Sequence, residues 1–117
     1  MQNFFTNFIY KFYKRKNNPD KALNILEHYL KYFPNEIAIL KNKADYFVTF
    51  GKHEKAVEIW KKIIKIDPSL GNSYYNLFAY YFNKKQYDSA AHYAYESETR
   101  GEQVEPHFLE FLKKYKK

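Results

Sequence analysis

At 117 residues with a formal charge of +7 and no cysteine, the chain is sized for one compact core and has neither a disulfide framework nor a Cys-ligated metal site. Hydrophobic residues at 45% exclude a disordered tail, and the aromatic excess of 13 Tyr, 11 Phe and 1 Trp against 3 Gly leaves many rings to pack. The cations are lysine except Arg15 and Arg100, which argues against nucleic acid as the partner, because arginine is the residue suited to bidentate phosphate contact.

Along the chain, apolar side chains recur at the spacing of one helical face. The first such stripe is Phe5, Phe8, Ile9, Phe12 and Tyr13. Asn17-Asn18-Pro19 breaks it, and Ala22, Ile25, Leu26, Tyr29, Leu30 and Phe33 form the second. Phe33-Pro34-Asn35 then stops one helix and offers a capping side chain for the next. Ile37, Leu40, Ala44 and Phe47 follow, then a turn at Gly51-Lys52, then Ala56, Ile59, Trp60, Ile63 and Ile64. Asp67-Pro68-Ser69 repeats the stop and cap. Tyr74, Leu77, Phe78 and Tyr81 make the fifth stripe, Asn83-Lys84-Lys85 the turn, and Ala90, Tyr93, Ala94 and Ser97 the sixth. All three glycines, Gly51, Gly71 and Gly101, are placed at turns. After Gly101, Glu105-Pro106 opens a last amphipathic helix with Phe108, Phe111, Leu112 and Tyr115 on one face.

The spacing has a period. Ala22, Ala56 and Ala90 stand 34 residues apart, as do Pro34 and Pro68, so the chain divides into repeats 3–36, 37–70 and 71–104 followed by a closing helix at 105–117. Each repeat is a helical hairpin, and no strand is needed. This layout resembles the tetratricopeptide repeat family, whose pattern is W-x2-L-G-x2-Y, A-x3-F and P in 34 residues. Tyr13, Phe47 and Tyr81 fill the tyrosine slot, and Ala22, Ala56 and Ala90 the first alanine slot. Leu26, Trp60 and Ala94 stand at the following ring slot, while Pro34, Pro68 and Glu102 stand at the closing proline slot. Phe78 is large where the family is small and Ala94 small where it is large, so volume is expected to be exchanged between facing helices. The resemblance implies an all-α solenoid of three hairpins with a C-terminal capping helix.

Nothing in the sequence points to an enzyme. His28, His53, His92 and His107 have no metal-ligand spacing, and Gly-rich phosphate loops and nucleophile elbows are absent. No cofactor and no metal are expected. No run of about 18 apolar residues crosses a membrane, and the aromatic N-terminal stretch lacks the pattern of a secretory signal, which leaves the cytoplasm as the expected location. Net charge is +3 over residues 1–36, +3 over 37–70, −2 over 71–105 and +3 over 106–117. A surface that tracks phosphates should keep one sign along the repeats, so nucleic acid is not the expected partner.

The resemblance implies instead a protein or peptide partner, held in a groove lined by the first helix of each repeat. Carried over position by position, that surface is Asn7, Phe8, Lys11 and Lys14, with Arg15; Lys41, Asn42 and Asp45, with Thr49; and Asn72, Tyr75 and Asn76, with Ala79 and Asn83. The amides suit a peptide backbone, and Lys11, Lys14 and Lys41 suit acidic groups. Phe4, Tyr75 and Phe82 are rings that the repeat register turns toward the groove. Chaperone-binding members of the family hold a C-terminal carboxylate with a clamp of cations and amides; of the equivalent positions Asn7, Lys11, Asn42, Asn72 and Asn76, only Asn42 keeps the expected type. Alternative readings are a self-associating scaffold piece, a homo-oligomer packed through the aromatic first helix, and a basic protein that binds RNA or a membrane surface through lysines such as Lys113, Lys114, Lys116 and Lys117.

Overall fold

The computed structural model describes residues 10–11 and 18–116. Within these residues every regular element is helical: α1 Pro19–Tyr32, α2 Ile37–Thr49, α3 His53–Ile66, α4 Gly71–Asn83, α5 Tyr87–Thr99, α6 Pro106–Leu112 and a 3-10 turn Lys113–Tyr115. Tyr10 and Lys11 are helical as well. Asn7, Phe8, Tyr13, Lys14 and Arg15, together with the rest of the first apolar stripe and the self-association face assigned to it, lie outside the described residues. No helix among the described residues is long and apolar enough to cross a membrane.

Where the length leads one to expect a single core, the chain divides into two compact units, residues 1–59 and 60–117, with the division inside α3. Repeat chains behave this way because each hairpin packs on its neighbours and makes few distant contacts.

Helix ends follow local chemistry. At the start of α1 the Asn18 side chain accepts the Lys21 N–H at 3.4 Å, Pro19 occupies the first turn, and Asp20 and Lys31 sit at the ends that the helix dipole favours for their signs. At the C-terminus of α2, Lys52 N–H donates to the Phe47 carbonyl at 2.7 Å and Gly51 N–H to Val48 at 3.1 Å, with Gly51 at φ +75°. This is the Schellman arrangement, which satisfies carbonyls that the ended helix leaves open. Thirty-four residues later the same pair recurs: Gln86 N–H donates to Tyr81 at 2.9 Å and Lys85 N–H to Phe82 at 3.0 Å. Lys85 itself adopts φ +59°. A third copy closes α5, with Glu102 N–H to Ser97 and Gly101 N–H to Glu98, both at 3.1 Å. Glu102 therefore uses an N–H that a proline lacks, which accounts for its departure from the proline slot.

The expected caps at Asn35 and Ser69 are not used. The capping positions are Glu36 and Leu70, neither of which makes a side-chain cap bond. Ser69 turns back instead: its N–H and hydroxyl both donate to Asp67 Oδ1, at 3.1 and 2.7 Å. These bonds stabilise the carboxylate and hold the Asp67 pKa below its ordinary value. Gly71 is likewise not a turn residue, since it is buried as the first residue of α4. A Cβ there would meet the Glu102 Cγ at 2.6 Å and the Arg100 Cβ at 3.2 Å, so only glycine lets α4 start this close to the end of α5.

In the first unit α1 packs on α2. Ala22 and Leu26 from α1 and Ile39, Leu40, Ala44 and Phe47 from α2 are buried, together with Ala56, Val57 and Ile59 of α3. In the second unit α4 and α5 pair along their length, and α6 closes over α5. Its core groups Phe78 with Ala90, Ala91, Ala94, Val104 and Leu112, with Tyr75, Phe82, Tyr87 and Phe108 packed against it. Phe78 and Ala94 are both buried in this one cluster, as the volume exchange requires. Two rings expected inside are at the surface: Phe33 is 40% exposed and Phe111 41% exposed. Phe33 is the residue after the end of α1, so its backbone has left the helical stripe. Phe111 packs against the rings of Phe82, Tyr87 and Tyr115 and under the Lys114 ammonium near the end of the chain.

Candidate protein-interaction faces

Among the described residues, those that the repeat register picks out on α2 and α4 fall on helix faces opposite the buried stripes. In the first unit Lys11, Lys41 and Asp45 are exposed and Asn42 is half-buried. The Thr49 hydroxyl donates to the Asp45 carbonyl at 2.9 Å, one turn back along α2. Beside this face Tyr10 is buried. Burial, then the charge of Asp45 and the nearby Tyr46, push its phenol up to about 12. Asp45 thus adds to the effect of burial on this phenol.

In the second unit the face belongs to α4. Asn72, Tyr75, Asn76, Ala79 and Asn83 follow the spacing of one helical side, while Ser73, Tyr74, Leu77 and Phe78 on the other side are buried. Asn76 Nδ2 donates to Asn72 Oδ1 at 3.3 Å. One amide bond is spent in this pairing, and each side chain keeps further donor or acceptor capacity for a ligand. Tyr75 is less available than its register suggests. Its ring meets Phe78 edge-on at 5.5 Å, and its hydroxyl donates to Glu105 Oε1 at 2.8 Å. That hydrogen bond, with burial and the carboxylate's charge, raises the Tyr75 pKa. Phe82 does not serve as an open ring either: it packs against the core cluster, meeting Phe108 at 4.8 Å and Phe111 at 5.7 Å.

Glu105 is the residue on this face that sequence patterning did not mark. It lies 30 positions from Tyr75, ahead of α6, and only the return of the chain after α5 brings the two together. Arg100 is similar. It stacks over the Tyr74 ring at 4.1 Å, donates to the Pro68 carbonyl and pairs with Glu96. Tyr74 also donates its hydroxyl to Pro68 at 3.1 Å, so one carbonyl ties the loop before α4 to the end of α5.

Rings and cations continue away from this face. Tyr81 and Tyr93 stack at 5.6 Å with planes 6° apart. Lys61 reaches over Tyr81, and its hydrogen bond to that tyrosine raises the lysine pKa. Among the described residues no cluster of three or more histidine, aspartate or glutamate side chains is placed to hold a metal.

No protein-family model and no curated protein matches the sequence. The crystal structure of the Sgt2 TPR domain from Aspergillus fumigatus superposes with a TM-score of 0.74, covering 97% of this chain and 78% of that one at 19% sequence identity. The fold is that of a tetratricopeptide α-solenoid.

Proposed function

We propose that this chain is a non-catalytic protein-interaction module that works from the cytoplasm and binds a peptide or helix of a partner on the exposed faces of α2 and α4. The repeat boundaries are proposed at 3–36, 37–70 and 71–104, with 105–117 as the capping segment. The observation that carries the reading is the amide pair Asn72 and Asn76, hydrogen-bonded to each other on the exposed side of α4 in a helix whose opposite side is core. Paired amides retain a donor and an acceptor, the combination needed to hold a peptide backbone without dictating its side chains. On α2, Asn42 supplies the same chemistry between Lys41 and Asp45. Lys41 and Lys11 add attraction for acidic groups, which speeds encounter more than it deepens affinity.

Affinity capture from the native host tests this. The double substitution Asn42→Ala and Asn76→Ala is expected to lose partners that the unaltered chain retains, while helicity is unchanged. A doubly substituted chain that keeps every partner would overturn the assignment of these faces. Salt separates protein binding from the basic-surface reading, because capture through phosphates falls steeply between 50 and 200 mM salt, by about a thousandfold or more.

A further inference from the structure

We propose that the corner of the second unit where α6 and the 3-10 turn meet the α4–α5 turn is a further interaction surface, one that settles on the anionic face of a lipid bilayer. Its apolar part is Phe111, 41% exposed, with the half-buried Tyr87 and Tyr115 beside it at ring-centre distances of 4.9 and 6.1 Å. Its charged part comes from two stretches of chain. Residues 113–117 hold four lysines and no acid, and Lys113, Lys114 and Lys116 are exposed. The turn before α5 adds the exposed Lys84 and Lys85. It reaches the same place because the rings on either side of it, Phe82 and Tyr87, both touch Phe111. The acids close to these lysines in sequence are Asp88 and Glu110, so the corner stays basic.

The mixture of side chains selects the partner. Its cations are all lysine, a point charge on a flexible stem, which suits a diffuse negative potential better than the fixed bidentate contacts that arginine makes. Lys114 holds its ammonium 5.4 Å from the centres of both the Phe111 and Tyr115 rings, which covers the faces that a stacked base of single-stranded RNA needs. A bilayer asks for a different arrangement: an aromatic ring entering the headgroup layer, a phenol at its wet side, and lysine stems that bend outward to leave their charge among lipid phosphates. The helix Pro106–Leu112 has 7 residues, so the contact is with the surface and not across it. The helix dipole accounts for cations in the last turn of α6. It does not account for an exposed phenylalanine among them, nor for the lysine pair that a separate turn brings alongside. The amides of the α4 face take no part, so either surface can fail without the other.

Co-sedimentation of the full chain with vesicles tests this, comparing phosphatidylcholine alone with phosphatidylcholine carrying about 30% phosphatidylserine, at about 0.1 M salt. The expected result is binding to the phosphatidylserine vesicles that weakens as salt rises, and none to the neutral ones. Lys113→Gln with Lys114→Gln should weaken it about 25-fold, at about fivefold for each lysine. Lys62→Gln with Lys65→Gln removes the same charge from exposed positions on α3 and should leave it nearly unchanged. Phe111→Ala should weaken it about tenfold by withdrawing the ring. All five substituted positions are exposed, and unchanged helicity reports that the fold is kept. Equal binding to neutral vesicles, equal losses from the two lysine pairs, or full affinity in Phe111→Ala overturns the surface. Failure to bind the phosphatidylserine vesicles overturns the lipid partner, whether or not a glutamate-rich peptide or single-stranded RNA binds instead.

Discussion

The turn that closes α2 and the turn that closes α4 carry the same backbone hydrogen bonds at an interval of 34 residues. Their surroundings differ throughout. The first is built on Gly51 and the second on Lys85, both with positive φ. Just before them, Phe47 lies beneath the ammonium groups of Lys43 and Lys55, at 6.0 and 5.4 Å. The corresponding Tyr81 stacks on Tyr93 under Lys61. The helix-ending bond pattern is thus common to both hairpins, while the residues that fill it and the rings around it are free to change. What a repeat fixes is where the backbone turns; what each copy buries or presents is decided separately.

The largest expected effect lies in the second unit, where rings close around alanines. Phe78→Ala should cost about 3–5 kcal/mol in urea denaturation, since a fully buried ring leaves a cavity among Ala90, Ala91 and Ala94. Ala94→Phe alone should cost about 1–3 kcal/mol through overpacking. The double substitution restores part of the loss if the two positions share one volume. Strict additivity of the single effects would show that they do not.

The first unit has a pH dependence that can be set beside this. Tyr10 has a folded pKa of about 12 against an ordinary 10.0. Below pH 10 the phenol is protonated in both states and its contribution is intact. Between pH 10 and 12 the unfolded chain ionises first, so stability falls as pH rises. Tyr10→Phe should flatten the fall in that window and leave the slope below it unchanged. Equal slopes for both chains above pH 10 would remove Asp45 and burial as its controls.

These comparisons also show what was legible in the residues. The period, the helices from Pro19 onward and the turn at Gly51 each follow from a few neighbouring side chains, and local chemistry is what a sequence displays. The burial of Phe78 and Ala94 in one cluster was legible because the repeat predicts which positions face each other. Contacts made when the chain returns after α5 were not visible. Glu105 on Tyr75, Arg100 on Pro68, and Phe82 covered by Phe108 join residues 26 to 32 positions apart, and no periodicity marks them. They altered the candidate face most, by tying down Tyr75 and withdrawing Phe82. Phe33 keeps the stripe's spacing in the sequence but stands one residue past the end of its helix.

A smaller effect is expected at Ser73, whose hydroxyl is buried with no hydrogen-bond partner among the described residues. Ser73→Ala removes a desolvated polar group and improves helix propensity, so it should stabilise the second unit by about 1 kcal/mol. An unchanged urea midpoint would mean that the hydroxyl finds a partner in solution.

The two turns offer the most direct test of their equivalence. A Cβ at Gly51 meets nothing within 4 Å, so Gly51→Ala isolates the backbone cost of positive φ, about 1–2 kcal/mol. Lys85 already bears that cost. Lys85→Gly should therefore stabilise the chain, by less than the Gly51 penalty because glycine also loses more entropy on folding, for a net gain of about 0.5 kcal/mol. Opposite signs at the two sites would show that one turn geometry governs both hairpins. A loss at Lys85→Gly would mean instead that the lysine side chain, and not the turn, holds α4 and α5 in register.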